Sequence, residues 1–184
     1  MAAIGNDSTF ILRLWVYLKE RFPPLSHGIL VATFSFSAIS YSRICRGDEG
    51  FILLNNFLLC AFTTITLFFL VRVFDEFKDA KDDAEHRSHL PIPRGLISLK
   101  EIGIVGAVVF LIQLLVNVIF IPDLLVIYAI VMLYLLLMGK EFFIGRWLKK
   151  HQFFYITSHM FIIPLIDIYA SGFDWELANV AAPV

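Results

Sequence analysis

Five apolar runs constrain this 184-residue chain more than any other feature; they fall at about 27–44, 51–74, 101–121, 123–139 and 152–171. A bilayer core is crossed by roughly 20 apolar helical residues, and four of the runs reach or approach that length. The run at 123–139 lies at the short end of the range. A soluble helix would show its apolar residues as one stripe, whereas here they continue around the whole helical face. Hydrophobic residues make up 59 % of the chain and its mean hydropathy is +0.78. The expected fold class is an all-α integral membrane protein of about five transmembrane helices.

The breaks between runs set the organisation. Ile121-Pro122-Asp123 interrupts the third and fourth runs sharply, so these two are expected as an antiparallel hairpin. Gly139, Gly145 and Lys149-Lys150-His151 separate the fourth from the fifth. Residues 10–22 carry apolar and charged side chains at helical spacing and stop at Pro23-Pro24. They read either as a short helix in the membrane interface or as an extension of the first span. Residues 177–184 open a further apolar run, so residues 1–184 are expected as one helical membrane domain, incomplete at the start of a sixth helix. Residues 1–26 lack the pattern of a secretory signal. Cys45 and Cys60 fall at different expected depths, which argues against a disulfide. The net charge of −1, without basic clusters interleaved with aromatics, gives no sign of nucleic-acid binding.

Charge then orients the spans. Thirteen of the fifteen Lys and Arg residues lie in the N-terminal segment, in residues 72–100 and in residues 140–150; only Arg43 and Arg46 lie on the other side. The positive-inside rule places the N-terminus and both of those loops in the cytoplasm.

One polar island, residues 72–95, interrupts the apolar pattern and holds six of the sixteen carboxylates. At roughly 100° per residue, Asp75, Asp79 and Asp83 stack on one side of a helix. Arg72, Glu76, Asp82 and His86 fall within the same arc of roughly 120°, and Lys78, Lys81 and Phe77 point elsewhere. Like charges at four-residue spacing destabilise the helix that carries them unless a cation binds there. Mg²⁺, a hard ion that takes one or two carboxylates plus phosphate oxygens, fits such a row.

Asp75-Glu76-x-x-Asp79-x-x-x-Asp83 resembles the first aspartate-rich motif of the UbiA superfamily of intramembrane prenyltransferases, usually written N-D-x-x-D-x-x-x-D. Arg72 before the motif and Pro91-Ile-Pro93-Arg94-Gly95-Leu-Ile-Ser98 behind it are similar to that family's flanks. The resemblance implies the first half of a bundle of about nine helices, with Mg²⁺-dependent transfer of an isoprenoid from its diphosphate to a membrane-accessible acceptor. It implies Asp75, Glu76, Asp79 and Asp83 as metal ligands, with Asp75, Asp79 and Asp83 central to catalysis. Arg72, Arg94 and Lys140 would hold the diphosphate. The chain departs from the family in two ways. Asp75-Glu76 stands where Asn-Asp is usual, and Leu90 where an Arg often precedes the first proline. No D-x-x-x-D pattern follows residue 95. Half of the metal-binding apparatus is therefore expected from elsewhere, a second half-chain or another copy.

Other polar residues compete for roles. Tyr134 and Lys140 lie six apart, a longer spacing than the family's; Arg146, Trp147, Lys149 and Lys150 read as interface anchors. His86 and His89 share the island, but Mg²⁺ prefers oxygen. His159 and Asp167 lie in the fifth run on similar faces. Ionisable groups at membrane depth suggest an alternative function, a divalent-cation transporter or channel with the island as its vestibule. Asn55, Asn56, Gln113 and Asn117 are expected to hydrogen-bond between helices.

Overall fold

The computed structural model describes residues 8–178, and these contain helices and no strand. The helices are α1 (Phe10–Arg21), α2 (Pro24–Cys45), α3 (Leu54–His86), α4 (Leu99–Phe120), α5 (Leu125–Gly139), α6 (Gly145–Leu148), α7 (Gln152–Met160) and α8 (Ile162–Ala178). Five segments are long and apolar enough to cross a membrane: α2, α3, α4, the Pro122–Gly139 unit, and α7 with α8 taken together. The expectation of a sixth helix from residue 177 concerns a stretch whose greater part lies outside the described residues.

Each break has a local cause. Phe22 leaves helical geometry and Pro23 and Pro24 follow, so α1 is a helix separate from the first span. Between α4 and α5, Pro122 opens a single 3₁₀ turn that reverses the chain. α7 gives way to α8 at Phe161, because Pro164 has no N–H and its ring clashes with the carbonyl of Met160. α4 opens on a capping box: Ser98 Oγ accepts from the Glu101 N–H while the Glu101 carboxylate accepts from the Ser98 N–H. The preceding Pro91–Gly95 stretch folds into successive tight turns, and Gly95 supplies the positive φ of 78° that closes them.

α2 packs on α3 and α8, and α3 also packs on α4, α5 and α8. The main core draws Leu67 and Leu70 from α3, Val131 and Leu135 from α5, and Ile166, Tyr169 and Phe173 from α8. Polar side chains inside the bundle satisfy one another. Gln113 Nε2 donates to the Thr63 carbonyl at 2.7 Å and to Thr66 Oγ1 at 3.0 Å, and Gln113 Oε1 accepts from the Tyr128 hydroxyl. Asn117 Oδ1 accepts from the Tyr169 hydroxyl at 2.9 Å. Gln113 and Asn117 thus tie α4 to α3, α5 and α8. Among the described residues, Asn55 and Asn56 make no such side-chain link.

At the end of the bundle away from the island, the buried Asp174 of α8 takes a two-pronged ion pair from Arg46, with both contacts at 2.9 Å. Ser42 Oγ donates to the same carboxylate at 2.9 Å. Arg43 and Arg46, read from sequence only as charge markers, therefore pin α2 to α8.

Candidate functional site

The site is built on the length of α3. Its 33 residues span roughly 50 Å, against a bilayer core of about 30 Å, so the acidic last turns project beyond the apolar part of the bundle. Helical phase then divides the acid arc into two edges. Arg72, Glu76 and Asp83 lie on one edge and meet α1; Asp75, Asp79 and Asp82 lie on the other, where Asp79 and Asp82 share a cleft with Tyr155 of α7.

The α1 edge is neutralised internally. Glu76 is buried, and its Oε1 accepts from Arg21 Nε at 2.8 Å, from Arg72 Nη2 at 2.9 Å and from the Tyr17 hydroxyl at 3.2 Å. Burial first, and the Glu76 carboxylate second, hold the Tyr17 hydroxyl well above its ordinary pKa, so it remains a donor. Asp83 is also buried and is approached by Arg87 at 3.2 Å and by Arg21 at 3.7 Å. α1 is tied down at both ends besides. Arg13 forms a 2.6 Å ion pair with Glu101, and Arg94 meets both Glu20 oxygens at 2.8 Å. The Arg94 hydrogen bond is the main reason that the Glu20 carboxyl sits below its usual pKa.

The other edge opens on a cleft of about 430 Å³ lined by Asp79, Asp82, Asp83, His86, Arg87 and Tyr155. Tyr155 arrives from α7 through an unusual turn. Glu141, Phe142 and Phe143 all have positive φ, between 48° and 61°, a left-handed conformation costing roughly 1–2 kcal/mol per residue. The Glu141 carboxylate occupies the space where a side chain at Gly145 would begin, so a larger residue there would displace it. Tyr155 then stacks on His159 with ring centroids 4.1 Å apart, and His159 Nδ1 lies 2.8 Å from the Tyr155 carbonyl oxygen.

An apolar cavity of about 460 Å³ adjoins the same helix, lined by Leu70, Val73, Phe74 and Phe77 of α3, Gly103, Gly106, Ala107 and Phe110 of α4, and Met132 and Leu136 of α5. The two α4 glycines make room for α3: a Cβ on Gly103 would lie 2.9 Å from Phe77, and one on Gly106 2.9 Å from Val73. The cavity is lined by α3 residues within 70–77 and the cleft by residues within 79–87, so hydrocarbon space and carboxylate cleft occupy different faces of successive turns.

The structure therefore gathers part of the sequence-derived set and separates the rest. Asp79 and Asp83 share the cleft with Asp82. Asp75 lies outside its lining and pairs with Lys78 at 3.0 Å. Glu76, expected among the metal ligands, has its Oε1 occupied by three donor residues, and Arg72 is spent on it. Arg94, expected at the diphosphate, holds Glu20. Lys140 caps α5, its N–H bonded to the Leu136 carbonyl, and does not line the cleft. Arg87 and Tyr155 stand there instead. Arg87 was legible as the i+4 partner of Asp83, whereas nothing in the local spacing marks Tyr155.

No group of three or more His, Cys, Asp or Glu side chains converges as a metal site among the described residues. The cleft suits an ion that takes one or two carboxylates and completes its shell with water and phosphate, as Mg²⁺ does. Comparison with known proteins gives no matching family model, no matching curated protein and no matching solved structure.

Proposed function

We propose that this chain is a UbiA-type intramembrane prenyltransferase, or the N-terminal portion of one, which binds an isoprenoid diphosphate with Mg²⁺ at the cytoplasmic end of α3. One observation carries the reading: a cavity lined by hydrocarbon and a cleft rich in carboxylates adjoin successive turns of one helix, residues 70–77 and 79–86 of α3. An amphiphile with an anionic phosphorylated head and an apolar tail has that division.

Asp79, beside Asp82, would hold Mg²⁺, with Asp75 adding negative charge nearby, while Asp83 stays buried against Arg21 and Arg87. The ion would neutralise charge on the departing diphosphate. Arg87, whose fork suits phosphate oxygens, takes the diphosphate-binding part in this arrangement. Phe74, Phe77 and Phe110 would shield the apolar tail from water. Glu76, with Tyr17, Arg21 and Arg72, fixes α1 against α3 and thereby the orientation of the row. Acceptor activation would fall to residues outside this set, in a second half-chain or another copy. The distribution of Lys and Arg supports a cytoplasmic N-terminus and acid row.

The test is retention of a labelled allylic diphosphate by the full chain in lipid nanodiscs, with Mg²⁺ and with EDTA. Mg²⁺-dependent retention that falls at least tenfold in Asp79→Asn is expected. Retention indifferent to both Mg²⁺ and Asp79 would refute the reading. Divalent-cation uptake into proteoliposomes that is abolished by Asp167→Asn would favour the transport alternative.

A further inference from the structure

Lys78 lies about 60° around α3 from Asp75, and its side chain runs back to the acid row instead of away from it. Nζ sits 3.0 Å from Asp75 Oδ1 and 3.9 Å from Asp79 Oδ1. The side chain is 10 % exposed, and the ammonium lies 5.9 Å from the centroid of the Tyr155 ring, which walls the acidic cleft. The Asp75 and Asp79 carboxylates are more open, at 27 % and 37 %. A tethered cation is thus held from the protein side between two carboxylates that remain open to ions from the water side.

Resting on the reading that the acid row takes a divalent cation, we propose that Lys78 is a positioning residue that occupies the row in the absence of substrate and makes bare metal a poor ligand. Metal arriving at Asp79 meets a positive charge already paired there, so metal alone binds weakly. Metal arriving with a diphosphate brings an anion to which the displaced ammonium can turn, since ammonium–phosphate hydrogen bonds are charge-assisted. The Tyr155 face keeps the ammonium close to the cleft. The site therefore selects the metal–diphosphate complex over free Mg²⁺, the more abundant competitor for its carboxylates.

The test uses Mn²⁺ alone, followed by electron paramagnetic resonance, on the full chain in nanodiscs. Lys78→Gln is expected to bind Mn²⁺ at least tenfold more tightly than the wild type. Lys78→Arg, which keeps the charge, should bind as weakly as the wild type, and Lys78→Gln with Asp79→Asn should lose the gain. No gain in Lys78→Gln, an equal gain in Lys78→Arg, or a gain that survives Asp79→Asn overturns the proposal. A second measurement needs no variant: the acylation rate of Lys78 by an N-hydroxysuccinimide ester, read by peptide mass spectrometry. Saturating Mn²⁺ should raise it severalfold, and an unchanged rate overturns the proposal. Neither measurement contains a prenyl diphosphate, so failure at Lys78 and failure of the prenyltransferase reading are told apart by the Asp79→Asn retention assay.

Discussion

Arg21 Nε donates to Glu76 Oε1 at 2.8 Å, joining the last turn of α1 to the acidic end of α3 across 55 residues of sequence. The contact converts a member of an apparent metal-binding row into the anchor of an N-terminal helix. Its surroundings explain why: Tyr17 is fully buried beside it, and Arg72 reaches the same oxygen from one helical turn away.

Glu76→Ala should consequently behave as a folding lesion. It leaves Arg21, Arg72 and the Tyr17 hydroxyl without their shared acceptor, and breaking a buried ion pair costs about 3–5 kcal/mol. Thermal unfolding in detergent should show a lowered Tm and early proteolysis of residues 10–22. An unchanged Tm would mean that α1 is held by its apolar contacts alone.

Gln113→Leu tests the polar links inside the bundle. The substitution removes the acceptor of the Tyr128 hydroxyl and the donor to Thr63, all within buried surroundings. A loss of about 1–2 kcal/mol is expected, the scale of interhelical hydrogen bonds in membranes. Unfolding in mixed micelles measures it. Adding Tyr128→Phe should recover part of the loss by removing the hydroxyl left without its acceptor, since the Thr63 carbonyl keeps the Thr66 hydroxyl as a donor.

Gly106→Leu should fill the apolar cavity and push Val73 away. Overpacking of this kind costs about 1–3 kcal/mol. Retention of a long-chain prenyl diphosphate should fall more than that of inorganic pyrophosphate. An equal fall for both would show that the cavity does not hold the tail.

Docking of α1 should weaken in acid through Glu20. Its carboxyl sits below the usual value because Arg94 stabilises the charged form, so the pair contributes fully above the unfolded-state pKa. That contribution is lost as pH falls through the lowered folded-state value. Both side chains are substantially exposed, and solvent screening holds the effect to under about 1 kcal/mol. Glu20→Gln should flatten this acid limb, read as protection of residues 10–22 from protease across pH. A limb of unchanged depth would assign it to other carboxylates.

The apolar runs, their breaks and the placement of an acid row on one helix face were legible without coordinates. All three are consequences of local chemistry: hydrophobic length against bilayer thickness, proline's missing N–H, and the 100° advance per residue. The interhelical roles of Gln113 and Asn117 were legible too, because a carboxamide inside an apolar run has few other partners. The buried pairing of Asp174 with Arg46 was not, since 128 residues separate them and neither end carries a local signal.

The acid row shows the boundary most clearly. Sequence alone determined that Asp75, Glu76, Asp79 and Asp83 share an arc and that their charges require cations. Arg72 at Glu76, Lys78 at Asp75 and Asp79, and Arg87 at Asp83 come from the same helix and its C-cap at local spacing. Only the tertiary structure decided that Arg21 joins them at Glu76 and Asp83 and that Tyr155 walls the cleft beside Asp79. Helical phase fixes the direction in which a side chain leaves its own helix. What stands there to meet it depends on how α1 and α7 pack, and that is set by contacts between residues far apart in the chain.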